Sequence, residues 1–398
     1  MDITIYPKKL SGTASAIPSK SQAHRLLICS AFSDTCTQLL CPETNQDIEA
    51  TAGCLRALGA NITRTQNGYI IDPICTFPNT CQLNCGESGS TLRFMLPIVG
   101  ALGVDTIFSM AGRLPSRPLS PLWELMEENG CKLQRLSNGC IHCSGKLKPG
   151  IYTINGNVSS QFISGLLFAG AIMNGCTQIR ITGKLESAPY VDMTKATLAL
   201  FGVHTENFKI YGALPFHSQK EFAVEGDWSN AAFFLAANVM GNNVNVVNLS
   251  KSSAQGDRAI TDLLQQLDTF VTISASDVPD LIPILSVAAA GKKGAVFTNI
   301  QRLRIKESDR VASVENMLKN LGIRCTSTEC TLTVYPGTFR SGTVDSVNDH
   351  RIAMAAAIAA TTADGPVRIL GAECVAKSYP SFWNVYQSLG GNYEQYIR

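Results

Sequence analysis

The densest charge in the chain is the run Arg302-Leu303-Arg304-Ile305-Lys306-Glu307-Ser308-Asp309-Arg310. A run of this kind is usually a solvated helix face. Here it follows an apolar strand expected at Ala295–Ile300, so it falls at a strand-to-helix turn, where Glu307 between Lys306 and Arg310 could carry a proton beside cations. Other segments could grip anions. In Ser19-Lys20-Ser21-Gln22-Ala23-His24-Arg25, Ser21 and Arg25 share one helix face and Lys20 sits at its mouth. Arg113 and Arg117 flank a Pro-containing loop, and arginine suits a bidentate hold on phosphate or carboxylate. Gly86 and Gly89 bracket a helix start and let a ligand approach the backbone. Ser159, Ser160 and Gln161 line up three neutral hydrogen-bonding side chains, suited to a phosphate or a polyol. Ser187 lies in a polar turn, His350-Arg351 opens an otherwise apolar helix, and Lys377 stands in a polar turn before the last helix.

These segments share a setting. Six small, apolar helices, of the kind that become buried, are expected to begin near Ser21, Ser88, Ser160, Ser229, Asp280 and Asp349. Each start has a capping residue, which accounts for the Ser, Asp and Asn but not for the Lys, Arg, Gln and His beside them. Helix N-termini carry partial positive charge and unpaired N–H groups, so several together would trap anions. Between them lie amphipathic helices whose ends fall at Cys54–Ala60, Leu122–Cys131, Thr197–Val203, Leu263–Val271, Val314–Ile323 and Trp383–Gly391. Gly follows the bulky final residue as a C-cap, except at Asp268. The chain therefore reads as about six copies of a unit with a buried helix, an amphipathic helix and short strands such as Asn243–Leu249.

Composition narrows the function. At 398 residues, two domains are expected. A net charge of +2 lacks the basic excess of a nucleic-acid or membrane-surface protein, so any anion site is local. The start MDITIYPKKL has no apolar signal stretch, and Ile352–Ala360 is too short to span a bilayer. A cytoplasmic chain is expected, with its 14 cysteines as free thiols. Cys140-Ile141-His142-Cys143 lacks the second ligand pair that a zinc site needs.

In this order, KSQAHR, NCGESGSTLR, SSQF, APY, QGDR, RIKESDR, NDHR and AKSYP resemble the enolpyruvylshikimate-phosphate synthase family over nearly the whole chain. The resemblance implies an α/β fold of two similar domains, each of three βαβαββ units, an inverse α/β barrel of the enolpyruvyl transferase type with its site in the interdomain cleft. It places residues 18–225 in the first domain, on the shikimate-phosphate side, and 1–17 plus 226–398 in the second, which completes the phosphoenolpyruvate site. Carried over residue by residue, Lys20, Ser21, Arg25, Ser159, Ser160, Gln161, Ser187, Asp280 and Lys306 are implied contacts of shikimate 3-phosphate. Lys20, Gly89, Arg117, Gln161, Arg310, Arg351 and Lys377 are implied contacts of phosphoenolpyruvate. Asp280 matches the proton acceptor and Glu307 the proton donor, with Lys20 nearby. Glu87 stands where many members carry Asn, Arg302 where some carry Asn, and Phe94 where some carry Pro. Gly89 is kept, as in the glyphosate-sensitive form of this loop.

The implied reaction adds a hydroxyl across an enol and then eliminates phosphate, with no metal or organic cofactor. Its substrates bring two phosphates and two carboxylates, about −5 to −6 in all. Lys20, Arg25, Arg117, Lys306, Arg310, Arg351 and Lys377 supply seven cations against that charge. The resemblance also implies a monomer. Two rivals stand beside it. UDP-N-acetylglucosamine enolpyruvyl transferases use a cysteine in the loop before the arginine matched by Arg117, and Met110–Arg117 contains none. A non-catalytic repeat protein for phosphorylated ligands would need neither Asp280 nor Glu307.

Overall fold

The computed structural model describes residues 1–212 and 215–396. The chain forms two compact units: a continuous one, Pro18–Glu225, and a split one, Met1–Ile17 with Gly226–Arg398. The passages between them are held within each unit, by Ser19 N donating to Glu225 O (2.7 Å) and Asp227 N to Ile17 O (2.8 Å). Gly226 is obligatory at one passage, because a Cβ there would lie 2.1 Å from Asn248 O.

Twelve α-helices of the described residues follow one another as α1 Lys20–Ala31, α2 Gln46–Ala57, α3 Gly89–Leu102, α4 Leu122–Glu128, α5 Ser160–Ile172, α6 Ala188–Leu200, α7 Trp228–Val239, α8 Ile260–Gln266, α9 Ile282–Ala290, α10 Arg310–Asn320, α11 His350–Ala360 and α12 Phe382–Ser388. The odd-numbered helices are the small apolar ones, and each begins within two residues of its expected start. Most residues of α5 and all of α9 and α11 are buried, so each forms the middle of a core. The even-numbered helices cover these cores with one face. Glycines at positive φ end five of them, at Gly59, Gly130, Gly202, Gly322 and Gly390. They supply the left-handed residue that the C-cap requires.

Five four-stranded sheets share one pattern, seen in Ile151–Asn155 parallel to Gly175–Thr182, which pairs antiparallel with the Lys209–Gly212 hairpin strand. The parallel pair spans a buried helix and the hairpin follows an amphipathic one, which is the βαβαββ order. Strand Asp2–Tyr6 pairs with Val367–Leu370 and Asn392–Tyr396, so the chain's start completes the split unit. Glu221–Ala223 pairs with Thr37–Leu40 and closes the continuous one. No sheet closes into a barrel among the described residues.

Two expectations need correction. The α7–α8 repeat is incomplete: Ser11–Ser15 and Asn243–Val247 form a two-stranded sheet, and α8 runs within four residues into Val271–Ser274, a strand of the next sheet. There is no room for a hairpin in that interval. The strands expected at Asn243–Leu249 and Ala295–Ile300 stop at Val247 and Thr298, because Asn248 (φ 63°) and Asn299 (φ 57°) turn left-handed. Asn tolerates that conformation and ends the ladder. No helix of the described residues is long and apolar enough to cross a membrane.

Candidate active site

The continuous unit gathers the starts of α1, α3 and α5. Ser19, Ser88 and Ser159 are the caps, their hydroxyls accepting from Gln22 N, Thr91 N and Gln161 N. Capping thus falls on the neighbours of Ser21 and Ser160 and leaves those two hydroxyls to other work. Lys20 Nζ lies 2.8 Å from Asp47 Oδ2 at the start of α2. Below it a buried polar chain ties three helices: His24 Nδ1 to Thr51 Oγ1, Thr51 to Thr91, and Thr91 to Ser88, each 2.7 Å. Burial and the cations Lys20 and Arg25 push the His24 ring well below its usual pKa, so it stays neutral here.

Arg25 is buried, and three of its nitrogens donate to its own unit: Nε to Thr194 Oγ1 (2.8 Å), Nη1 to Ser21 O (2.5 Å) and Nη2 to Tyr190 O (2.8 Å). Burial lowers its pKa to about 10. Its guanidinium lies over Phe94, 5.2 Å from the ring centroid, which gives that departure a cation–π role. The contacts of Arg25 fix α1 against α6, whose first turn begins at Ser187. Ser187 is buried in a left-handed conformation (φ 55°). That conformation costs a non-glycine residue roughly 1–3 kcal/mol, and such strain marks functional sites.

Gln161 joins α5 to α3: its Oε1 accepts from Arg93 Nη1 (2.6 Å) and its Nε2 donates to Ser90 Oγ (2.8 Å). Arg93 is an eighth cation that the sequence reading did not place in the site. The signal was its position four residues after Gly89, one helical turn along the same face. Arg117 is buried above Gly89, where a Cβ would lie 2.8 Å from its Nη1 and 3.2 Å from Arg93 Nη1. Glycine therefore leaves both guanidinium groups close to the amides that open α3. Gly89→Ala should push the Arg117 guanidinium aside, since its far end would have to shift to make room.

The split unit gathers the turn before α9, the Arg302–Arg310 segment and the start of α11. Arg310 is its centre, 2% exposed and bonded to three carboxylates. Its Nε donates to Asp349 Oδ2 (2.9 Å), Nη1 to Asp280 Oδ1 (2.6 Å) and Nη2 to Glu307 Oε2 (2.5 Å). Arg351 Nη2 donates to Asp280 Oδ2 (3.1 Å), and Lys306 Nζ stands 3.7 Å from Asp280 Oδ1. Asp280 does not cap a helix as expected; α9 starts two residues later without a side-chain cap, because both Asp280 oxygens face cations. Burial raises the Asp280 carboxyl, but Arg351, Lys306 and Arg310 together hold it well below the usual carboxylate range. Lys306 falls to about 8: burial lowers it most, Asp280 opposes, and Arg310 and Arg302 lower it further. The Arg302 departure thus helps depress Lys306.

Lys377 Nζ donates to Asn348 O (2.9 Å), a carbonyl aimed there by left-handed Val347 (φ 45°) and Asn348 (φ 60°). Asp349 caps α11 through Arg351 N (3.0 Å). In this unit four cations, Lys306, Arg310, Arg351 and Lys377, face three carboxylates, Asp280, Glu307 and Asp349, for a net +1. Counting cations alone overstated the charge available, since most are partnered.

The CxxC holds no cluster. Cys143 lies buried in strand Ile141–Gly145, Cys140 precedes the strand, and His142 Nε2 pairs with Asp105 at 2.8 Å. Among the described residues no group of three or more His, Cys, Asp or Glu is arranged to hold a metal ion.

The repeated βαβαββ unit, with cations and carboxylates gathered at the starts of buried helices, defines an α/β enzyme that works on anionic substrates. The family model for EPSP synthase (3-phosphoshikimate 1-carboxyvinyltransferase) matches residues 5–386, and the chain belongs to that family. A 3-phosphoshikimate 1-carboxyvinyltransferase of Clostridium kluyveri is 35% identical over 420 residues, covering 99% of this chain and 98% of the relative. The solved EPSP synthase of Acinetobacter baumannii superposes with a TM-score of 0.80 at 25% identity, over 99% of this chain and all of that one. The enolpyruvyl transferase NikO of Streptomyces tendae, at 16% identity over 99% of this chain and 98% of its own and a TM-score of 0.78, shares the fold.

Proposed function

We infer that this chain transfers the enolpyruvyl group of phosphoenolpyruvate to the 5-hydroxyl of shikimate 3-phosphate, releasing phosphate. The observation that carries the reading is Arg310 with Asp280 and Glu307 on two of its nitrogens: one buried cation holding two carboxylates beside Arg351 and Lys306. Shikimate 3-phosphate is assigned to Lys20, Ser21, Arg25, Ser159, Ser160, Gln161, Ser187, Asp280 and Lys306. Phosphoenolpyruvate is assigned to Lys20, Gly89, Arg117 and Gln161, with Arg310, Arg351 and Lys377.

Asp280 is assigned as proton acceptor. It is ionised throughout the working range, so it is a weak base. A weak base suffices, because the hydroxyl proton becomes strongly acidic as its oxygen bonds the cationic C2 of the donor. Glu307 is assigned as the acid that protonates the methylene carbon and later recovers that proton. Arg310 Nη2 holds the Glu307 carboxylate at 2.5 Å and so fixes where that proton is delivered.

Lys306 gives the reading a pH signature. It is charged below about 8 and neutral above. The kcat/KM for shikimate 3-phosphate should therefore fall as pH rises through that value. Lys306→Arg, which stays charged, should hold the profile flat there; a fall of equal size in the variant would remove Lys306 from the site. The reading carries with it a cytoplasmic monomer acting on two small molecules, with no nucleic-acid partner; the net charge of +2 supports the last point. The deciding experiment is phosphate release from phosphoenolpyruvate with and without shikimate 3-phosphate. Release that depends on shikimate 3-phosphate is expected, and none from folded protein would overturn the reading.

A further inference from the structure

The 110–117 arm carries Arg117, and three contacts seat it on the residues that lead into α3. Ala111 N donates to Gly86 O at 2.7 Å. Gly112 adopts φ 55°, and a Cβ on it would lie 2.4 Å from Glu87 Oε2 and 2.5 Å from Glu87 Cδ. Glu87 thus lies directly on the Gly112 backbone, in space that only glycine leaves. At the arm's far end the Arg117 guanidinium rests above Gly89. Within the arm, Ser116 N and Arg117 N donate to Arg113 O and Leu114 O, and Leu114 is buried, so these hydrogen bonds tie the segment together. The Glu87 side chain makes the contact from its Cγ outward: Cγ, Cδ and Oε2 lie 3.0, 2.5 and 2.4 Å from where a Gly112 Cβ would be.

We propose that Glu87 is a positioning residue, a latch that fastens the 110–117 arm to the lead-in of α3 and thereby holds Arg117 over Gly89. Its part is then the packing of its side chain on the Gly112 backbone, not the repulsion of the donor by its charge. The kinetic part of this inference rests on the proposed role of Arg117 with phosphoenolpyruvate; the structural part does not.

The test is amide hydrogen exchange of the full chain, followed by mass spectrometry, together with steady-state kinetics for Glu87→Ala and Glu87→Gln. In Glu87→Ala, exchange across residues 110–117 should quicken about tenfold and the KM for phosphoenolpyruvate should rise about tenfold. The KM for shikimate 3-phosphate should hold, and kcat should fall less than the KM rises. Glu87→Gln, which keeps the length, should restore most of both effects. Unchanged exchange in Glu87→Ala would overturn the latch. So would a lower KM for phosphoenolpyruvate in both variants, which would mean that the carboxylate repels the donor. If wild type shows no release dependent on shikimate 3-phosphate, the proposed function fails, while the exchange data still decide the latch.

Discussion

Glu307→Gln should lower kcat at least about 100-fold while the protein stays folded, the low end for losing a group that moves a proton in the transition state. The amide keeps the length of the side chain and an oxygen that can accept from Arg310 Nη2, so the network around Arg310 is disturbed little. What it loses is the proton. The split between parameters is the informative part: the KM for each substrate should change far less than kcat, because an interaction needed only in the transition state has been removed. Exchange of the methylene protons of phosphoenolpyruvate with deuterated solvent should fall in parallel, since protonation and its reversal pass through the same carboxyl. A variant that turns over normally would keep the reaction and discard Glu307 as the acid. A variant with normal kcat and a raised KM would make Glu307 a partner of Arg310 and nothing more.

The sequence made the repeat legible because two independent signals coincide in it. The buried helices other than α1 are apolar over most of their length, and five of the six amphipathic ones end on glycines that the structure finds at positive φ. The site was legible as residue types at helix starts, which local chemistry places well. Partnership was not legible. Arg310 sits 30 residues from Asp280 and 39 from Asp349, so nothing local announces that one guanidinium serves both carboxylates. The same holds for Lys20 with Asp47, and for Arg93, whose contact with Gln161 spans 68 residues. Asp280 was read as a helix cap because Asp before an apolar run is the usual signature of one. Tertiary charge overrode that preference. The missing hairpin after α8 went unnoticed because an absent element leaves no pattern; only the four-residue interval between α8 and the next strand records it.

Asp349 shows what that hidden pairing is worth. It is fully buried, and its two oxygens do three jobs: Oδ2 accepts from Arg310 Nε and Ser308 Oγ, and Oδ1 caps α11 at Arg351 N. It therefore orients the side chain of Arg310 and holds the backbone amide of Arg351, two of the three arginines assigned to phosphoenolpyruvate, without itself being assigned to a substrate. Asp349→Ala should destabilise the chain by about 3–5 kcal/mol, because it leaves a buried guanidinium short of a partner and removes a cap as well. A useful comparison is Asp2→Ala. Asp2 is as buried and accepts from Gly371 N (3.2 Å) and Arg368 Nη2 (3.0 Å), but Arg368 is half exposed and can turn to water, so the loss should be smaller. Differential scanning calorimetry of the two variants checks the order. Asp349→Asn separates stability from positioning. Its amide can still cap Arg351 N through oxygen, but its nitrogen then meets Arg310 Nε donor to donor. Arg310 would lose its aim while α11 stays capped, and the KM for phosphoenolpyruvate should rise more than the KM for shikimate 3-phosphate. Equal losses from Asp2→Ala and Asp349→Ala, with both KM values unchanged in Asp349→Asn, would reduce Asp349 to an ordinary helix cap.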